Sequence, residues 1–216
     1  MQDKFSINCS KCLRLAKFLN EVKINYPSYH AKPVPGFGDT SSKLLIIGLA
    51  PGMHGANQTG RPFTGDFAGI LLYKTLYKYG FSNHEGSVSL NDGLQLIGCS
   101  ITNAVKCLPP LNRPEPNEIR NCNGYLSTEI KNFKAGGGLI LLALGAVAHR
   151  SVLMALGLRP KDYPFGHGLI HKLPSKLTLY DSYHCSRYNT QTKRLTIDMF
   201  EQVFKQINID LSLTKK

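Results

Sequence analysis

Three sets of side chains in this sequence are of types that do chemistry together: six cysteines, a histidine closing an aliphatic run, and one aspartate in a long glycine-rich segment. Cys9 and Cys12 form a C-x2-C pair, and Cys107 and Cys122 form a second, widely spaced pair. Four thiolates converging on one centre could hold zinc or an iron–sulfur cluster. Zinc ribbons use two tight pairs, so the long second spacing weakens zinc; on spacing alone, six unrelated thiols remain the plain alternative. Cys99 follows Gly98 at a strand entrance, where a core thiol is expected. Cys185 adjoins His184, but neighbours on an extended chain point apart, which disfavours a Cys/His nucleophile. The segment from Gly48 to Asp66 is mostly Gly, Pro and small polar residues with one aromatic, Phe63. A loop of that length in a compact domain is usually functional. The run His184-Cys185-Ser186-Arg187-Tyr188-Asn189-Thr190 suits an anion or a backbone of phosphates.

The elements that must position these residues follow from the apolar pattern. Leu44 to Leu49, Ile101 to Val105, Leu139 to Leu144 and Leu177 to Tyr183 read as strands buried on both faces, as a covered parallel sheet requires. Helices are expected over Asp66 to Tyr79, with Ile70, Tyr73 and Tyr77 on one stripe and Leu72 and Leu76 on the next. Further helices are expected over Pro116 to Phe133, Ala146 to Leu156, and Leu195 to Ile209, the last with Ile197, Phe200, Phe204 and Ile207 at helical spacing. Strand alternating with helix predicts a three-layer α/β/α domain with a central four-stranded parallel sheet, spanning 1–216 as one unit. Ligands of such sheets bind beyond the carboxyl ends of the strands. The loops after residues 49, 105 and 183 carry the Gly-rich segment, Cys107 and the His184 run, with Asn103 at the end of the second strand.

Lys plus Arg number 26 against 14 Asp plus Glu, a formal +12 that favours a polyanionic partner, nucleic acid or an anionic membrane surface. No apolar run reaches about 18 residues, and MQDKFSINCS lacks the apolar centre of a secretory signal. The expected setting is a reducing cytoplasm or nucleoid, where cysteines serve as metal ligands or buried thiols.

Four ordered blocks then carry a resemblance: GLAPGMHGANQTGRPFTGDFAG at 48–69, TNAVKCLPP at 102–110, LALGAVA at 142–148 and YHCSRYNTQTKRLT at 183–196. Together with the cysteine spacing they resemble uracil-DNA glycosylases of the iron–sulfur class, closest to the fifth family, sometimes called type b. The resemblance runs from residue 9 to about 196. It departs in two places: Leu49 stands where the fourth family carries Glu, and His184-Cys185-Ser186 replaces the usual His-Pro-Ser.

The resemblance implies a monofunctional glycosylase that extrudes uracil from double-stranded DNA and hydrolyses its glycosidic bond, with hypoxanthine and ethenocytosine as secondary substrates. It implies a 4Fe-4S cluster on Cys9, Cys12, Cys107 and Cys122 and a monomeric, cytoplasmic protein. Such chemistry needs charge stabilised on both sugar and base. Asp66 would position water, with helix capping as its competing role. His184 would donate to the departing base, Phe63 would stack on it, and Asn103 would read its Watson–Crick edge. Ala50, Gly52, His54 and Asn57 would shape the pocket. Ser186, Arg187, Tyr188 and Asn189 would grip the minor groove, with Lys74, Lys78, Lys193 and Arg194 extending the basic face. The alternatives are a non-catalytic iron–sulfur DNA-binding module of the same fold, and a zinc-binding regulator.

Overall fold

The computed structural model describes residues 4–39 and 41–213. In chain order the elements are α1 (Leu13–Asn25), β1 (Phe37–Gly38), β2 (Leu44–Gly48), α2 (Ala56–Thr59), α3 (Phe67–Lys78), β3 (Cys99–Asn103), α4 (Pro116–Ala135), β4 (Ile140–Leu144), α5 (Ala146–Ala155), β5 (Ile170–Lys172), β6 (Thr178–Ser182), α6 (Arg187–Gln191) and α7 (Ile197–Leu213). The sheet has six strands in the order β1-β3-β2-β4-β6-β5. Its four inner strands pair in parallel, Leu44 with Cys99 and Ile140, and Ile140 with Thr178. The two outer strands pair antiparallel. The expected four-stranded parallel sheet is therefore corrected to a mixed six-stranded one. β1 and β5 are two and three residues long, too short to leave an apolar signature in the sequence.

Alternation along the inner strands divides the core. Leu44 and Ile46 face the layer that holds Leu72, Leu76, Phe200, Phe204 and Ile207 of α3 and α7. Leu45 and Ile47 face Leu126, Ile130 and Val152 of α4 and α5. Each of these side chains, fully buried, contributes about 1.5–3 kcal/mol of apolar transfer. A third cluster packs Leu15, Leu19 and Val22 of α1 against Val105 and Leu108, beyond the end of β3.

On α3 the Leu72 and Leu76 stripe faces inward with Tyr73, whereas Ile70 and Tyr77 are exposed. On α7, Ile197 is likewise exposed. Helix starts follow local chemistry: Asp66 caps α3 through Gly69 N–H at 2.8 Å. At α4, Pro116 occupies the first turn and Glu115 with Glu118 forms a reciprocal capping box.

Candidate active site

The carboxyl ends of β2, β3 and β6 open into one cleft of ≈ 490 Å³, lined by Leu49, Ala50, Gly52, Phe63, Asp66, Asn103, Asn112, His184 and the first residues of α6 among others. β3 delivers Asn103 from its last position; the side chain is 3% exposed, and its Oδ1 finds no hydrogen-bond partner among the described residues. A buried amide oxygen without a partner costs free energy unless something from outside completes it. Phe63 closes over the same spot. Its backbone sits at φ 55°, and its ring lies 6.0 Å from the His184 ring at 28°. Glycine at 48 permits this approach: a β-carbon there would fall 2.4 Å from Asn103 Oδ1 and 2.6 Å from the Phe63 ring.

His184 follows β6 by two residues and is enclosed by the cleft walls. Burial pushes its pKa down to about 4, so its imidazole is neutral at pH 7. Asn189 Nδ2 donates to the His184 carbonyl at 2.8 Å and fixes the turn. Asp66 uses Oδ1 to cap α3, while its Oδ2 lies on the side of Gly52 and Gly55. Burial raises the Asp66 pKa above the ordinary carboxylate value, partly offset by the Gly69 and Ala68 amides. Capping and cleft-facing roles thus fall on different oxygens of one carboxylate.

The remaining expected residues divide. Arg187 and Tyr188 stand exposed beside the cleft, Arg187 with its guanidinium 5.0 Å over the Phe67 ring. Ser186 caps the short α6, and Asn189 is taken up by His184, so both brace the turn. His54 does not line the cleft; its Nδ1 pairs with the Tyr29 hydroxyl at 2.8 Å, beside Tyr26. Asn57 is buried, and its amide donates to Met53 O. Lys74 and Lys78 pair with Glu85 and Glu201, which lessens their free charge. Arg194 lies 4.7 Å over the Tyr183 ring. Cys185 is a fully buried core thiol pushed up by burial, not a nucleophile, and Cys99 is pushed up to about 12 for the same reason.

Cys9, Cys12, Cys107 and Cys122 line one recess between α1, the segment after β3, and α4. Burial raises the Cys107 thiol, and the neighbouring sulfurs of Cys122, Cys9 and Cys12 raise it further. Donors already point at three of the four sulfurs: Tyr125 Oη to Cys9 at 3.3 Å, Asn121 Nδ2 to Cys12 at 3.7 Å, and the Lys106 amide to Cys122 at 3.3 Å. Such donors stabilise thiolates that are bound to a cation.

One residue that shapes the cleft left no sequence signal. Arg61, 2% exposed, donates to Thr64 Oγ1 at 2.9 Å, Ser87 Oγ at 2.6 Å and Asp92 Oδ2 at 2.5 Å. It welds the Gly-rich loop to the 83–94 segment, and its partner Asp92 lies 31 positions away, beyond any local pattern. His149, Asp181 and His171 form a second buried network outside the cleft: His149 pairs with Asp181 Oδ1 at 2.7 Å and Tyr163 O at 2.9 Å, and His171 meets Asp181 Oδ2 at 3.3 Å. It ties α5 and β5 to β6.

A cleft at strand ends, with an unpaired amide, a neutral imidazole and a carboxylate, has the donors, acceptors and walls to hold a planar polar group. The family model described as the uracil DNA glycosylase superfamily matches residues 35–211. The chain is 43% identical over 203 residues to a type-5 uracil-DNA glycosylase of Thermus thermophilus, covering 92% of this chain and 91% of that protein. It is 38% identical over 208 residues to a type-5 uracil-DNA glycosylase of Pyrobaculum aerophilum, covering 94% and 89%. A type-4 uracil-DNA glycosylase of the same organism is 32% identical over 153 residues, covering 70% and 63%. The chain belongs to the uracil DNA glycosylase superfamily.

Proposed function

We propose that this protein excises uracil from DNA by hydrolysing its N-glycosidic bond, leaving an abasic site. The observation that carries the reading is the unpaired Asn103 Oδ1 in a cleft shared with Phe63, Asp66 and His184. Uracil offers an N3–H beside a carbonyl, so the Asn103 amide accepts from one and donates to the other. Phe63 supplies an apolar face to the flipped ring. The C1′–N1 bond breaks with its electron pair leaving on the base, and the neutral His184 donates an N–H to the oxygen on which that charge collects. The carboxylate's charge steadies the sugar cation as it forms, and water held by Asp66 Oδ2 then attacks C1′ and passes its proton to that oxygen. Arg187 and Tyr188 hold the duplex beside the vacated position. The test is release of free uracil from a uracil-containing duplex, read as strand breaks after alkali treatment. An intact strand, where a control glycosylase cleaves, overturns the reading and favours the non-catalytic DNA-binding alternative.

The four-cysteine recess fits an iron–sulfur cluster, which we assign to Cys9, Cys12, Cys107 and Cys122. The long spacing of Cys107 and Cys122 disfavours a zinc ribbon, which uses two tight pairs. Hydrolysis transfers no electron, so the group's contribution is to staple α1, the β3 loop and α4. The protein is expected to be brown, with iron and sulfide near the 4Fe-4S ratio, about four of each per chain. Cys122→Ser should bleach it and lower its melting temperature. A colourless protein with stoichiometric zinc excludes the assignment. Among the described residues no helix is long and apolar enough to cross a membrane. We read the chain as a monomer working on DNA in the cytoplasm.

A further inference from the structure

We propose that His167 is a positioning residue for His184: its ring extends strand β6 by one hydrogen bond, up to the residue before the imidazole that faces the base. The inference rests on the glycosylase reading above. Along the edge of β6 that faces β5, Asp181 N–H donates to Leu169 O at 3.0 Å, and Gly168 N–H donates back to Asp181 O at 2.8 Å. Tyr183 N–H comes next on that edge, but the neighbouring chain turns at Gly168, φ 77°. A side chain fills the place: Tyr183 N–H donates to His167 Nδ1 at 3.1 Å. An amide withdrawn from water needs an acceptor, and here an imidazole serves in place of a carbonyl.

The contact fixes the state of the ring. An amide N–H can only donate, so Nδ1 holds the lone pair and the hydrogen sits on Nε2. Ser182 Oγ is 3.4 Å from the same nitrogen, yet it donates to Tyr183 O at 2.9 Å and leaves Nδ1 to the amide. Burial lowers the His167 pKa below the ordinary histidine value, so the accepting form is present at pH 7. The ring also stacks on the Tyr183 ring, centroids 5.1 Å apart at 28°, and hydrogen-bonds the backbone of Met199 in the first turn of α7. His184 is thus held from both sides. Asn189 Nδ2 donates to its carbonyl, and His167 accepts from the amide just before it. Gly145 lies against the same turn, where a β-carbon would meet His184 Cβ at 3.4 Å. His167 does not line the base cleft. It acts through the orientation of His184, whose N–H must meet one oxygen of the departing ring.

A double-mutant cycle tests the inference. His167→Ala should lower single-turnover release of uracil about 10- to 100-fold, the range for a reacting group displaced by about an ångström. Because that loss runs through His184, it should nearly vanish when His167→Ala is made in a His184→Ala background. It should also shrink with 5-fluorouracil, whose more acidic ring needs less help from His184. His167→Asn sets an amide oxygen where Nδ1 stands and should recover most of the release. A loss that multiplies with that of His184→Ala overturns the inference, as does parental release in His167→Ala or an Asn variant as slow as the Ala one. Where His167→Ala does not fold, His167→Gln, whose longer arm misplaces the oxygen, takes its place: a slow Gln beside a fast Asn supports the positioning role, and equal rates overturn it. A parent protein that releases no uracil overturns the glycosylase reading instead.

Discussion

Asp66→Asn should lower single-turnover release of uracil about a thousandfold, the range of a lost general base, while the melting temperature moves by no more than a few degrees. The separation follows from the two oxygens of the side chain. Oδ1 caps α3 through the Gly69 amide, and an asparagine oxygen caps as well as an aspartate one. Oδ2, on the side of Gly52, takes a proton from water in the proposed mechanism, and an amide could not take it. The same carboxylate sets the acid side of the pH profile. Burial raises its pKa, so it is ionised above that value, and release should fall as pH drops through it. In Asp66→Asn that acid limb should vanish along with most of the rate. A variant that retains parental release would remove Asp66 from the reaction. A variant that unfolds would show that the cap dominates, and Asp66→Ser, which also caps, would then be compared at a temperature where it stays folded.

His184→Ala should cost about 10²–10³ in release rate, the usual loss for one donor to a developing oxyanion. With its pKa at about 4, His184 is neutral at pH 7, so the proposed mechanism has it donate an N–H and not act as a cation. His184→Gln keeps an N–H donor and should recover part of the loss. The loss should also shrink with 5-fluorouracil in place of uracil, because a more acidic leaving group carries its charge with less help. Equal losses for both bases would assign His184 to ground-state binding instead.

The structure sorts the sequence reading by range. The inner strands lie within two residues of where the aliphatic runs put them, and Asp66, Phe63, Asn103 and His184 meet in one cleft as the loop-at-strand-end argument expects. His54 looked like a pocket residue by its place in the Gly-rich loop. It turns instead to Tyr29, a contact across 25 positions that no spacing reveals. The sequence offers two apolar stripes on α3, and only the packing against the sheet and α7 decides that Leu72, Leu76 and Tyr73 are buried while Ile70 and Tyr77 are exposed.

The apolar runs, the breakers between them and the ordered motif blocks determined by themselves that an α/β sheet would carry its chemistry at the carboxyl ends of its strands. That much is local: a buried strand needs consecutive aliphatic residues wherever it pairs. The edge strands β1 and β5, the Arg61–Asp92 weld and the turning of His54 to Tyr29 were decided only by the tertiary structure. Each depends on groups far apart in the chain coming within a few ångströms, and a contact between distant segments has no period for a linear sequence to show.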